Sequence, residues 1–475
     1  MSEKTSSTQL AVVGAGPGGY AAAFLAADLG MKVALIDMEP NPGGVCLYVG
    51  CIPSKALLHI AEVLSEAKHA ANWGIEFGEP QIDLAKLRAW KEGVVRKMTG
   101  GLGQLSKARS VQYIQGRASL LDAKRLRIEK TGGDIETLSF EHVILATGSR
   151  PATLPHLPAD SPRIINSTGA LELKSVPKTM LVIGGGYIGL ELGIVYAALG
   201  TQVSVVEMLS GILPGVDRDL VTPLAKRLSQ TFQRVMVNTQ VAAVTETKEG
   251  VRVKFEGAEA PPEEQTYEMV LVSVGRKPNS ALPGLDKTQV ELDARGFIKV
   301  DGQRRTKEPT IFAIGDVVGE PMLAHKASHE GRVAVEAIAG HKAVFEPQAI
   351  PAVVFTDPEI AWCGLTETQA EKEGRKVAVA RFPWGASGRA TTLDRPDGVT
   401  KLIIDPETER ILGVGITGAG AGELIAEGVL AVEMAARASD LRLSIHPHPT
   451  LSETLMESAE VFFGQSTHLY RPKRK

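Results

Sequence analysis

Residues 9–37 read QLAVVGAGPGGYAAAFLAADLGMKVALID. A short apolar run leads into Gly14-Ala15-Gly16-Pro17-Gly18-Gly19, an alanine-rich helical segment stops near Gly30, and a second apolar run ends at Asp37. In that strand, turn, helix, strand order a Gly-x-Gly-x-x-Gly turn binds a dinucleotide. Gly14 permits the tight turn, Gly16 lets backbone approach a pyrophosphate, and Gly19 lets helix and strand pack closely. Asp37, 23 positions after Gly14, is placed to accept from a ribose hydroxyl.

The unit returns at 179–207 as TMLVIGGGYIGLELGIVYAALGTQVSVVE, with Gly184, Gly186 and Gly189 in the turn and Glu207 at the second strand end. Two such units 170 residues apart predict two dinucleotide sites. The simplest redox reading is one cofactor held tightly and one that comes and goes. Glu207 suits a free 2′-hydroxyl and repels a 2′-phosphate, and Met208, Leu209 and Ser210 offer no base to hold one, so NAD is expected over NADP.

Between the units lies Gly43–Leu58, GGVCLYVGCIPSKALL, with two of the three cysteines of the chain. A structural disulfide across so short a ring would contribute only about 2 kcal/mol, and a chain of 475 residues buries enough core without it. Two cysteines with no neighbouring ligands do not complete a zinc shell, so no metal is expected. From Pro53 the apolar spacing is helical, which puts Cys51 at or just before a helix N-terminus, where the macrodipole favours a thiolate. Lys55 adds a positive charge one turn in. The pair therefore reads as redox-active.

Composition excludes other classes. A net charge of −3 gives no basis for nucleic-acid or membrane affinity. The polar start MSEKTSSTQ lacks a secretory core, and no run of about 18 apolar residues is present. A cytoplasmic home is expected, where a dithiol cycles rather than staying oxidised. HVILATGSRP (142–151) and MVLVSVGRKPN (269–279) each end a strand in glycine, a basic residue and proline, as at a crossing between domains. Asp316, after Gly315, is placed to bond a polyol, and the backbone around residues 323–325 opens a helix from about Ala324. From about Ile350 the pattern changes to a terminal domain, and only RPKRK at the end reads as a free tail.

In SIHPHPTLSE, prolines stiffen the backbone around His446 and His448 before a helix near Leu451. His448 is a candidate for proton transfer, with Glu453 to orient it. The run Thr450 to Glu453 is equally a capping box, and the two roles are compatible. His446 and Cys363 are expected to be structural.

Taken together, the cysteine stretch, the paired glycine turns, AIGDV, PMLAHKA and HPHPTLSE resemble the dihydrolipoamide dehydrogenases, flavoprotein components of 2-oxo acid dehydrogenase complexes. The resemblance runs from about Gln9 to Gly464. It implies an α/β fold with two Rossmann-like dinucleotide-binding domains, FAD (1–150) and NAD (151–275), a central domain (276–349) and an α+β C-terminal dimerisation domain (350–475). A homodimer follows, in which the His448–Glu453 dyad serves the other subunit's disulfide, and lipoyl domains and core subunits of those complexes are the partners. Cys46 would exchange with dihydrolipoamide, and Cys51 would lie against the flavin in a charge-transfer complex. Gly14, Gly16, Gly19, Asp37, Gly44, Ala118, Gly148, Asp316 and Ala324 would contact FAD. Lys55 and Glu191 match an ion pair near flavin N5. Gly184, Gly186, Ile188, Gly189, Glu207, Val241 and Gly275 would line the NAD site.

Two positions depart from that pattern. Tyr48 stands where asparagine is common, and Tyr187 stands where glutathione reductases carry a tyrosine over the nicotinamide pocket, so Tyr187 is expected to gate NAD access. Two alternatives stay open: a glutathione-reductase-like enzyme running on NADPH, and a docking subunit of a multienzyme complex. The absence of a C-terminal cysteine pair argues against mercuric reductase.

Overall fold

A computed structural model describes residues 4–155, 157–158 and 161–470. The basic tail RPKRK lies outside the described residues. Packing groups the chain into two units, one of Met1–Leu57, Ile82–Ala152 and Gly275–Glu346, the other of Leu58–Gln81, Thr153–Val274 and Pro347–Lys475.

The first unit begins β1 (Lys4–Val13), α1 (Pro17–Asp28), β2 (Val33–Asp37), α2 (Gly44–Val49) and α3 (Cys51–His69). It continues with α4 (Leu84–Ala108), β3 (Gln112–Asp122), β4 (Arg125–Lys130) and β5 (Ile135–Leu145). Parallel pairing orders the sheet β3, β2, β1, β5, then Ile311–Ala313, while β4 joins β3 and β5 antiparallel. Leu10 to Val12 and Val143 to Leu145 have no exposed surface, the double-sided burial of a parallel sheet covered on both faces. The strand order turns back between β1 and β5, and a ligand site is expected at the carboxyl ends there. Gly14 lies at that point, where a Cβ would meet Ala146 O at 2.2 Å.

In the second unit a parallel sheet runs in the order Arg234–Met236, Gln202–Val206, Thr179–Ile183, Met269–Val272, Ile164–Asn166. A separate antiparallel sheet of Ala352–Val354, Glu359–Gly364, Ile411–Gly418, Val399–Ile404 and Ala378–Pro383 carries the helices Ala421–Glu433 and Glu453–Phe463. The fold is thus the expected α/β arrangement of two Rossmann-like sheets with an α+β C-terminal part. The two glycine-basic-proline stretches pair as a short antiparallel ribbon, Ser149–Pro151 with Arg276–Pro278, beside the two places where the chain leaves and re-enters the first unit.

One feature was not anticipated: the helical stretch Gly44–Trp73 is long and apolar enough for a membrane span, with mean hydropathy 1.4. Gly50 breaks it, Lys55, Glu62, Glu66 and Lys68 recur along it, and Leu57 and Ala61 are buried in protein. Its apolarity is that of an amphipathic helix facing a core.

Within the second unit Lys401, fully buried, places Nζ 2.6 Å from Asp217, 2.7 Å from Asp219 and 3.3 Å from Glu367, so an ammonium fills the centre of this acid trio. Burial works against ionisation of Asp217, but Lys401, the Thr368 amide and hydroxyl and the Glu367 amide outweigh it and lower its pKa from 3.8 to about 2. A depressed folded-state value contributes stability above the unfolded value that is lost as pH falls through the folded one, here about 2 kcal/mol lost between about pH 4 and pH 2. Lys401→Met is expected to cost about 3–5 kcal/mol at pH 7. It should also reverse the trend, mild acid now stabilising the variant by neutralising the stranded carboxylates. Denaturant midpoints at pH 7 and pH 4.5 check both signs.

Candidate active site

The cysteine stretch folds as two helices rather than one. α2 is six residues long and escaped the periodicity reading, and Gly50 separates it from α3, whose first residue is Cys51. A Cβ at Gly50 would meet Val45 O at 2.7 Å and Cys46 Cα at 3.2 Å, so the glycine lets the two cysteines close up. Both are thiols here. A hydrogen bond to Cys51, then burial, raises the Cys46 thiol well above its ordinary value, while the Cys51 amide donating to Cys46 and the Lys55 charge pull the other way.

This stretch is fastened to the first dinucleotide turn. Gly43 N donates to Ala15 O at 2.8 Å, and a Cβ on Gly44, whose φ is +56°, would meet Gly16 Cα at 2.5 Å. Tyr20 on α1 also senses the pair: burial first, then Cys46 and Cys51, push its phenol up. The sequence reading missed Tyr20 because an aromatic following the glycine turn carries no periodic signal of its own.

The two glycine turns repeat each other bond for bond. Gly14 N donates to Ile36 O and Gly184 N to Val206 O, at 2.8 and 2.9 Å, with φ of +100° and +104°. A Cβ on Gly19 or Gly189 would strike the carbonyl of Gly14 or Gly184, at 1.8 and 2.6 Å. α1 and the helix Tyr187–Ala198 both start without a side-chain cap, leaving amide donors for a phosphate. The acids repeat as well. Asp37 accepts from Ala15 N at 2.6 Å and Glu39 N at 3.0 Å, and Glu207 accepts from Gly185 N and Leu209 N, both at 2.8 Å. Each carboxylate is thus held against its turn, and each oxygen keeps a second lone pair for a ribose hydroxyl. The next basic residue in sequence after Glu207, Arg218, spends its N–H groups on the carbonyls of Ile212, Leu213 and Val216. Ile188 follows Tyr187 in the first turn of that helix, and Val241 lies at a register shift in the strand Thr239–Glu246. Glu191 is buried and accepts from Phe355 N at 3.0 Å.

In the first unit, Ser149 Oγ donates to Asp316 and accepts from Arg276 Nε at 2.7 Å, so the basic residue of the second glycine-proline stretch is tied to the polyol-binding candidate. Ala324 opens the helix Ala324–Ile338, again without a side-chain cap. Gly148 takes φ +68° and Gly275 φ +111° with open space where a Cβ would be, and Ala118 is buried on β3. Lys55 is half-buried in the first turn of α3.

Glu453 fills both roles read from the sequence. One oxygen lies 2.9 Å from His448 Nδ1 and the other accepts from Thr450 N at 2.7 Å. Burial opposes its ionisation, but the Thr450 amide and then His448 hold its carboxyl below the usual range. The His448 side chain is 73% exposed, so a dyad oriented at Nδ1 presents its other nitrogen outward. His446, by contrast, is buried against Glu427 at 2.8 Å, and Cys363 is a core thiol pushed up to about 12 by burial. Tyr48 hydrogen-bonds Asn41 O and N at 3.1 and 3.3 Å, and Tyr187 is 40% exposed at the start of its helix.

These features coincide with known proteins. Residues 8–331 match the model of the pyridine nucleotide-disulphide oxidoreductases and residues 350–459 that of their dimerisation domain. The chain is 50% identical over 467 residues to a dihydrolipoyl dehydrogenase of Vibrio parahaemolyticus, covering 98% of each. It is 46% identical over 462 residues to one of Geobacillus stearothermophilus, covering 97% of each. It also resembles the crystal structure of LpdA from Mycobacterium tuberculosis, with TM-score 0.88, 26% identity and coverage of 95% of this chain and 99% of that one.

Proposed function

This chain belongs to the pyridine nucleotide-disulphide oxidoreductases, within them to the dihydrolipoyl dehydrogenases, and from that membership we propose how its residues divide the work. The reaction is oxidation of dihydrolipoamide to lipoamide with reduction of NAD, and its cofactors are FAD and NAD. The observation that carries the assignment is the hydrogen bond from Gly43 to the first glycine turn and the close packing of Gly44 on Gly16, which couple a dithiol to a dinucleotide site.

The residues fit their cofactors. The uncapped start of α1, Asp37, Asp316 and Ala324 suit the pyrophosphate, ribose, polyol and ring of FAD, with Gly14, Gly16, Gly19, Gly44, Lys55, Ala118 and Gly148 completing the set. Gly184, Gly186, Ile188, Gly189, Glu207, Val241 and Gly275 are assigned to the NAD side, and Glu191 with Lys55 to the ion pair near flavin N5. FAD supplies the two-electron chemistry that links thiols to NAD.

In the oxidised enzyme Cys46 and Cys51 are disulfide-bonded. His448, steadied by Glu453, takes a proton from one dihydrolipoamide thiol, and the thiolate attacks Cys46 Sγ, breaking the disulfide and releasing Cys51 as thiolate. The second lipoyl sulfur gives up its proton and attacks the first. Lipoamide leaves with its own disulfide closed, and Cys46, now reduced, takes a proton. Two electrons thereby reside on the cysteine pair, and Cys51 is the sulfur placed to pass them on.

The matched dimerisation domain makes the chain a homodimer former. We assign the dyad to the other subunit's disulfide, the domain ranges 1–150, 151–275, 276–349 and 350–475, lipoyl domains of 2-oxo acid dehydrogenase complexes as partners, and the cytoplasm as location. The test is turnover of dihydrolipoamide with NAD and with NADP. NAD is expected to be favoured on the order of a hundredfold in kcat/KM, and equal use would overturn the reading of Glu207 and Arg218. In the same assay Tyr187→Ile should change KM for NAD severalfold. Unchanged kinetics and flavin fluorescence would end its gating role.

A further inference from the structure

The helix Ala324–Ile338 breaks a local rule where it begins. A helix N-terminus is the positive end of the macrodipole and disfavours cations, and a lysine is rarely buried without strong cause. Lys326 is the third residue of this helix with its side chain only 6% exposed, and the first turn holds no acidic residue. Its Nζ lies 3.0 Å from Glu330 Oε1 and 3.3 Å from Gly319 O. Glu330, with no exposed surface, also binds Arg304 Nη1 at 3.0 Å and Gly315 N at 2.6 Å.

A buried lysine and a partly buried arginine thus share one carboxylate. Asp316 does not restore the balance, because its own charge is engaged through Ser149 with Arg276. Three cations against two carboxylates leave a surplus positive charge around the turn Gly315–Val318, and Arg304 Nε is buried with no hydrogen-bond partner. Local rules are broken at functional sites, and a buried charge left uncompensated is costly until negative charge is supplied. This turn and helix are the ones assigned above to the flavin, which gains negative charge when it accepts electrons.

We propose that Lys326, held in place by Glu330, is a tuning residue whose charge stabilises the reduced over the oxidised flavin and so sets the potential at which dithiol and NAD exchange electrons. The proposal rests on the flavin assignment. Glu330 limits the surplus to one charge while fixing the Gly315 amide, and with it the turn that presents Asp316.

The test compares flavin content and the two-electron midpoint potential, by anaerobic dye equilibration, in the FAD-loaded wild type and in Lys326→Met, Lys326→Arg and Glu330→Gln. Lys326→Met is expected to shift the reduction equilibrium about tenfold toward the oxidised form, ~30 mV for a two-electron couple. Lys326→Arg should stay with the wild type, and Glu330→Gln, which strands both cations, should shift the other way. The proposal is overturned if Lys326→Met and Glu330→Gln move together, if methionine and arginine act alike, or if nothing moves. Should Lys326→Met fail to hold flavin, the sign of the Glu330→Gln shift and the silence of Lys326→Arg decide. A colourless wild-type protein would instead remove the flavin assignment itself.

Discussion

His448→Gln is expected to lower dihydrolipoamide oxidation on the order of a thousandfold, while NADH oxidation with a non-thiol acceptor continues near the wild-type rate. General acid–base groups contribute roughly 10²–10⁴ to the steps they serve, and this one has its orientation built in. Glu453 holds Nδ1 at 2.9 Å and is itself held by the Thr450 amide at 2.7 Å, so the imidazole stands on a support anchored to the start of the helix Glu453–Phe463. The carboxylate, kept below its usual range, favours the imidazolium that forms when a thiol proton arrives. Glu453→Gln should therefore lose less than His448→Gln, because the imidazole keeps its place and loses only the carboxylate that orients it. Equal losses in thiol-dependent and thiol-independent assays would show that His448 acts on the fold and not on the proton.

The second large effect belongs to the cysteines, and the two are not equivalent. Cys51→Ser and Cys46→Ser should each abolish lipoyl turnover, since neither leaves a disulfide to reduce. They should differ in what remains. Cys46→Ser keeps a sulfur at the first residue of α3, where the helix macrodipole favours the thiolate. Cys51→Ser keeps only Cys46, half-buried in α2 and away from the start of α3.

What the sequence made legible were demands of the backbone. Gly14 and Gly184 sit at φ near +100° against a carbonyl, and Gly19 and Gly189 pack where no Cβ fits, so their spacing announces the turn before any coordinates exist. The helix at Ala324 was readable for the same kind of reason, its long apolar period. α2 was not, because six residues span too few turns to show a period. Side-chain networks between distant positions were also hidden. Lys401 meets Asp217 across 184 positions and Asp316 meets Ser149 across 167, distances over which no pattern in one sequence can speak. The ambiguity at Glu453 dissolved for a simple chemical cause: a carboxylate has two oxygens, and one serves the histidine while the other serves the backbone.

The central claim is that the sulfur of Cys51 links the substrate dithiol to the bound flavin. Its most direct test is anaerobic titration of the FAD-loaded wild type, Cys46→Ser and Cys51→Ser proteins, reducing the wild type with dihydrolipoamide and recording long-wavelength flavin–thiolate absorption. The predicted result is a band in the reduced wild type, a band in Cys46→Ser without any reductant, and none in Cys51→Ser. A band that survives in Cys51→Ser, or is missing from the reduced wild type, would contradict the assignment.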